Sequence, residues 1–247
     1  MDERPVDGPV PRLELIEWGS RFGIRAGITV PGDGPEPFDL GLAGRIAPTG
    51  AVIPRWREFL ASMAPFSGIV ISHQVHGTTI RVHERVPGIL LAADGDGHLT
   101  SSPGLLLAVS VADCIPVYVA DPARRAVALV HAGWRGTAGG ILPRAIGALR
   151  ERGSRVENLW VHCGIGICGR CYEVGPEVFE ACGVPVPAGG KGALDLRGVL
   201  LEQVRRAGVE NVSTSGYCSA HGPGRFFSHR ASRGADGRMV AYLGLTP

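Results

Sequence analysis

The stretch VALVHAGWRGTAGG, Val127–Gly140, constrains the fold more tightly than any other part of the chain. An apolar run delivers one histidine, His131, into a turn that holds Gly133, Gly136, Gly139 and Gly140 around Trp134. Such a run reads as a buried strand, and glycines at that density read as a sharp reversal where backbone can approach something closely. Ala126–Val130 is therefore expected as a strand. Thr137–Arg150 is expected as the helix that follows, with Thr137 as its N-cap.

The same pattern recurs. Leu105–Ala120, LLLAVSVADCIPVYVA, reads as two apolar strands flanking a tight point at Asp113-Cys114, with Pro116 capping or edging the second. Ser67–Val82 has the β-branched content of two strands broken at Gly77. Leu159–Cys163, Met239–Leu245 and the segment from Tyr217 onward are expected as further strands, and Pro176–Ala181 and Leu196–Arg206 as helices. Thirty-seven glycines and 19 prolines keep every element short. Strands outnumber helices but helices intervene repeatedly, which predicts an α/β (α+β) fold with mixed sheets. A chain of 247 residues, 45% hydrophobic, can bury one sizeable core, so residues 11–247 are expected as a single domain. The acidic, proline-rich residues 1–10 are expected as a loose N-terminal tail.

Several function classes are disfavoured. No apolar run is long enough to span a bilayer, and the N-terminus lacks the basic start and apolar middle of a secretory signal, so a cytoplasmic protein is expected. The net charge is +2, Lys191 is the single lysine, and the arginines are scattered. Neither a nucleic-acid nor a membrane partner is expected. Six cysteines without a signal point to reduced thiols, metal ligation or catalysis rather than a disulfide frame.

Polar ligand types stand at the ends of apolar segments: His73 and His76 in SHQVHG, Cys114 in VADCIP, and His131. Imidazole nitrogen and thiolate are natural zinc ligands, and three of them with a fourth position left open is the pattern of a catalytic site. The same atoms admit a second chemistry, in which Cys114 is a nucleophile with His131 or His76 as its base. Taken singly, each residue has an ordinary reading, Cys114 as a small buried hydrophobe and His131 as a hydrogen-bonded core residue. The alternatives stay open at this point.

Other motifs fail their context. GIGICG, Gly164–Gly169, matches the dinucleotide fingerprint, yet no second strand with an acidic ribose partner follows. Cys168 and Cys171 form a CxxC pair, with no second pair at zinc-ribbon spacing. The H-x-E of zinc nucleobase deaminases is absent, as is a Walker A loop. After His131, Gly133, Arg135 and Gly136 precede a helix start, where free N–H groups and a guanidinium could face an anion. The bland alternative is a tight turn with Trp134 packed beneath it. Arg230, Arg233 and Arg238 share a glycine-rich loop that reads as solvated.

Read together, QVHGT, DGHLT, VADCIPV, VHAGWRGT, CYEVG and FFSHR…GRM resemble, in order, the laccase-domain family, also called YfiH-like or polyphenol-oxidase-like. The resemblance runs from about Ile69 to Leu245. It implies a layered α/β/β/α fold with mixed sheets. It also implies a zinc-dependent purine nucleoside phosphorylase whose Zn2+ is held by His76, Cys114 and His131, which would be the catalytic centre. Small-molecule nucleoside and phosphate are the implied partners, adenosine deamination is an implied side activity, and Arg135 and Arg230 are expected to contact phosphate or ribose. The chain departs from the family pattern at Asp39, where asparagine is usual, at His229, where tyrosine is usual, and in a looser N-terminal segment, WGSRFGIRAGITV. A cysteine hydrolase on Cys114, a copper-dependent polyphenol oxidase and a zinc-stabilised binding protein are the rival readings. The eight histidines include no His-x-His pair of the multicopper kind.

Overall fold

The computed structural model describes residues 2–42, 49–222 and 224–247. In it the described residues build two mixed sheets packed face to face. The seven-stranded sheet runs β1 (Arg4–Val6), β2 (Arg12–Glu14), β3 (Ile24–Thr29), β15 (Met239–Leu245), β8 (Leu105–Val111), β4 (Gly68–Ser72) and β6 (Gly88–Ala92). The six-stranded sheet runs β14 (Asn211–Thr214), β11 (Trp160–Cys163), β9 (Ile115–Asp121), β10 (Ala126–Ala132), β7 (Gly97–Thr100) and β5 (Ile80–His83). A small ribbon pairs β12 (Glu173–Val174) with β13 (Gly192–Ala193). The helices are α1 (Ile16–Phe22), α2 (Thr49–Ser62), α3 (Trp134–Ala138), α4 (Ile141–Glu151), α5 (Pro176–Ala181) and α6 (Leu196–Arg206).

The apolar runs have no polar face because both of their faces are covered. On β8, Leu105, Leu107, Val109 and Val111 enter the core between the sheets, while Leu106 and Ala108 pack outward with Val52, Trp56 and Phe59 of α2. On β10, Val127 and Leu129 face the same central core, while Ala128 and Val130 meet Ile141, Leu142 and Leu149 of α4 and Leu200 and Val204 of α6. Alternate side chains thus serve two cores, which produces the α/β/β/α layering.

One topological fact positions the site. Strands β4, β6 and β8 are mutually parallel, so their C-terminal ends lie on one edge of the seven-stranded sheet. From that edge the chain crosses to the six-stranded sheet three times, through residues 73–79, 93–96 and 112–114. Strand β10 runs antiparallel to β7 and β9, with Val130 opposite Gly97 and Ala132 opposite Ile115, so its end arrives at the same place.

Several local expectations are corrected. Residues 1–10 are not a loose tail among those described: β1 pairs with β2, Glu3 is buried against His162 Nε2 at 3.1 Å, and Val10 is a core residue. The prolines there do not prevent strand formation, because Pro5 sits on an edge strand, where a missing N–H costs no ladder bond. The helix expected over Thr137–Arg150 is two helices, separated at Gly140, whose φ of +79° is left-handed. Thr137 lies inside α3 and is not an N-cap; that place is taken by Gly133. Among the described residues between Tyr217 and β15 there is no strand, only a bridge between Gly166 and Cys218. Pro116 sits near the start of β9, an interior strand, opposite His131.

A histidine pair with one buried member makes the fold sensitive to acid. His98 on β7 is fully buried, with Nδ1 2.9 Å from Nε2 of His83. Burial, reinforced by the positive potential of His83 and Arg81, pushes His98 down to about 3. Below its ordinary value near 6.5 the unfolded chain therefore binds a proton that the folded chain refuses, and stability falls as pH drops. At about 1.4 kcal/mol per pH unit, the loss from this group between pH 7 and pH 5 is about 2 kcal/mol. Urea unfolding at the two pH values should show that loss in the wild type and a flatter dependence, by about the same amount, in His98→Gln; equal slopes would exclude the assignment.

Candidate metal centre

The three sheet crossings and the end of β10 bring His76, Cys114 and His131 together. One ligand atom of each lies within 4.8 Å of the other two. The His76 and His131 rings meet edge to face at 4.9 Å between centroids. His131 is buried, Cys114 half-buried and His76 exposed, so the cluster is closed on the protein side and open to solvent on one face.

The organiser of the cluster is Asp96, fully buried in the 93–96 crossing. Its Oδ2 accepts the N–H groups of Val75 at 3.1 Å and Gly77 at 2.8 Å. Its Oδ1 accepts the His76 N–H at 2.9 Å and His131 Nδ1–H at 2.9 Å. Burial alone would raise its carboxyl pKa, but the bonds from His131 and the backbone outweigh this and hold it below the usual carboxylate range. With Nδ1 engaged, Nε2 is the His131 nitrogen free to face an ion, the arrangement in which a carboxylate fixes a metal-binding imidazole. The same carboxylate holds the backbone of His76, which adopts φ of +58°, unusual for a side-chain-bearing residue.

Cys114 stands at a second strained corner. Asp113 has φ of +91° and anchors the loop from the far end of the chain. Its Oδ1 accepts the hydroxyls of Ser219 at 2.6 Å and Ser228 at 2.7 Å, and its Oδ2 accepts the Arg230 N–H at 2.6 Å. Burial alone would raise the Cys114 thiol. The charge of His131 and hydrogen bonds from His131 and His76 reverse that and bring it down to about 6. His131 is raised in turn to about 9, burial being outweighed by the Cys114 thiolate and Asp96. A thiolate beside two imidazoles is a donor set for a borderline-soft divalent ion.

The glycines after His131 have a steric reason. A Cβ on Gly133 would lie 3.0 Å from Cys114 Sγ and 3.1 Å from His76 Cδ2, inside the cluster. A Cβ on Gly136 would lie 3.0 Å from the Gly77 carbonyl.

The other expected residues are placed as follows. Arg135 is exposed, its guanidinium 4.3 Å from the Trp134 ring centroid. Arg230 is also exposed, donates from Nη1 to the Glu173 carbonyl at 2.7 Å and lies 5.3 Å from the Tyr172 ring. His73 is outside the cluster and pairs with Asp94 at 3.1 Å. Asp39 is buried, and its Oδ1 accepts the N–H groups of Gly41 and Arg238, both at 2.8 Å, so it ties two loops together. Sequence reasoning passed over Asp96, although it opens the quoted DGHLT motif; an aspartate in a DGDG turn looks solvated until the fold buries it. Asp113 was noted only as the neighbour of Cys114.

Comparison with known proteins agrees with this architecture. The family model described as multi-copper polyphenol oxidoreductase laccase matches residues 47–246. A purine nucleoside phosphorylase of Deinococcus radiodurans is 39% identical over 179 residues, covering 70% of this chain and 68% of that protein. The purine nucleoside phosphorylase YlmD of Geobacillus stearothermophilus is 33% identical over 255 residues, 90% of each chain. The crystal structure of YlmD from that organism superposes with a TM-score of 0.84 at 28% identity, covering 99% of this chain and 100% of the other. Bacillus licheniformis YfiH superposes with a TM-score of 0.83 at 27% identity, covering 97% and 98%. The chain belongs to the multi-copper polyphenol oxidoreductase laccase family, the YfiH-like laccase-domain proteins.

Proposed function

We propose that this chain is a zinc-dependent purine nucleoside phosphorylase, converting adenosine- or inosine-type nucleosides and phosphate to free base and ribose 1-phosphate. The observation that carries the reading is the solvent-open cluster of His76, Cys114 and His131 with Asp96 behind it. The names of the relatives supply the reaction. The donor set fits zinc: two imidazoles and one thiolate leave one position of a tetrahedral ion to solvent or substrate. The chemistry such an ion supplies is Lewis-acid polarisation of an oxygen.

The chain's own residues do the rest. Phosphorolysis forms a bond from a phosphate oxygen to the ribose C1′ as the C1′–N9 bond breaks, and the purine leaves with the bonding pair. Arg135 and Arg230, both exposed, supply positive charge for phosphate or ribose. Tyr172, whose hydroxyl burial and the nearby Cys114 thiolate raise to about 12, stays neutral and can donate a hydrogen bond. Asp96 acts as a positioning residue through His131 and the 75–77 backbone. Adenosine deamination at the same centre is part of the proposal.

One observation favours a second reading. The Cys114 thiol, brought down to about 6 beside an aspartate-held imidazole, has the arrangement of a nucleophile and its base. Metal content separates the two, since a thiol hydrolase is active when metal-free and is inactivated by alkylation of Cys114.

Purified, metal-assayed protein incubated with adenosine or inosine should release base and ribose 1-phosphate only when phosphate is present. Base release independent of phosphate, or none with either nucleoside, would sink the phosphorylase reading. In Asp96→Asn, zinc affinity measured by chelator competition should fall about 10- to 100-fold, the usual effect of removing the partner of a metal-binding histidine; unchanged affinity removes Asp96 from its role. Arg135→Ala should raise KM for phosphate about tenfold, as expected for losing one charge-assisted contact of about 1.4 kcal/mol, with KM for nucleoside little changed. Equal phosphate kinetics would take Arg135 out of the anion site.

A further inference from the structure

The CxxC pair is not isolated in space. Cys168 and Cys171 face Cys218 and His221, and one ligand atom from each of the four lies within 4.8 Å of the others. The Cys171 Sγ to His221 Nε2 distance is 2.9 Å, and that from Cys168 Sγ is 4.0 Å. A tetrahedral ion with Zn–S near 2.3 Å and Zn–N near 2.0 Å spaces its ligands roughly 3.3–3.8 Å apart, so small side-chain rotations close the set.

The backbone presents these ligands as two matched turns. In CGRC the Cys171 N–H donates to the Cys168 carbonyl at 3.0 Å, and in CSAH the His221 N–H donates to the Cys218 carbonyl at 3.3 Å. Each turn thus offers two ligands three residues apart, the spacing of a zinc knuckle. The bridge between Gly166 and Cys218 and the Ser219 N–H to Gly166 carbonyl bond at 3.0 Å lay one turn beside the other. The Cys168 N–H also points at Cys218 Sγ at 3.2 Å, a donor suited to a thiolate. Arg197 ties the supporting loops by donating to the carbonyls of Gly166, Ser215 and Tyr217.

We propose that Cys168, Cys171, Cys218 and His221 form a second, structural zinc site, separate from the cluster at His76, Cys114 and His131. Four protein ligands fill a tetrahedral ion completely, so this site holds no substrate. Its task is to fasten two loops distant in sequence. Those loops support the Cys114 corner: Ile167 N–H donates to the Asp113 carbonyl at 2.8 Å, and Ser219 Oγ to Asp113 Oδ1 at 2.6 Å. Binding of the ion displaces the thiol protons and converts loop ordering into metal affinity.

The test uses full-length protein purified under reducing conditions without chelator. Wild type should carry about two zinc ions per chain, and Cys168→Ser/Cys171→Ser and Cys114→Ser about one each. Cobalt-reconstituted Cys114→Ser should show thiolate-to-cobalt charge-transfer absorption about three times that of the Cys168→Ser/Cys171→Ser protein per bound ion, from three sulfurs against one. Folding of both variants is checked by circular dichroism. If Cys114→Ser does not fold, the difference in zinc between wild type and Cys168→Ser/Cys171→Ser decides. Folded Cys114→Ser without zinc, a wild-type zinc content unchanged by Cys168→Ser/Cys171→Ser, or a native Cys168–Cys171 disulfide, seen as a mass two hydrogens lighter, would each overturn the site. Zinc lost only in Cys114→Ser leaves the phosphorylase reading intact and removes this one; zinc lost only in Cys168→Ser/Cys171→Ser does the reverse.

Discussion

A single buried carboxylate holds the edge that carries the candidate metal centre together. Asp96 accepts three backbone N–H groups from the 75–77 crossing and one imidazole N–H from the end of β10. An ionised carboxylate in that position is costly to bury unless every lone pair is used, and here four donors use them. The loop bearing His76 and the strand end bearing His131 are thereby fixed relative to each other. The same bonds select the His131 tautomer. Geometry and electrostatics at the centre therefore share one origin.

The sheet order turns that local clamp into a site. Because β4, β6 and β8 run parallel, three crossings leave the same edge, and each delivers one group of the cluster: His76, Asp96 or Cys114. Antiparallel β10 returns His131 to the meeting point. Residues separated by more than fifty positions along the chain meet without any long, flexible connection. The strained backbone at His76 and Asp113 lies at these crossings, where tightly bonded surroundings can sustain it.

Much of this could be read in the residues. Continuous apolar runs identified β8, β9 and β10, and the Asp113-Cys114 interruption marked the corner between sheets. Ligand-type side chains at strand ends pointed to His76, Cys114 and His131, and the family resemblance selected them from among alternatives. What stayed hidden depended on tertiary partners. Asp96 sits in a sequence indistinguishable from a solvated turn. The N-terminal prolines look like a tail until an edge strand accommodates them. The CGRC pair seemed unpaired because its partners form CSAH, a mixed cysteine–histidine turn much farther along the chain than a ribbon motif allows. Thr137 looked like a helix cap because sequence does not say on which side of a glycine pair a helix restarts.

The place of β15 has a consequence for how the molecule comes into being. This strand, the last of the described strands, is inserted between β3 and β8, and its Ala241 and Leu243 enter the central core. While residues 239–245 are still inside the ribosome, the seven-stranded sheet is two fragments with open apolar edges. The nascent chain must keep those edges from pairing with one another or with other chains until β15 has emerged. Assembly of this sheet therefore waits for β15, and the parts of the candidate metal centre, all encoded before residue 140, precede the strand that completes the sheet beside them.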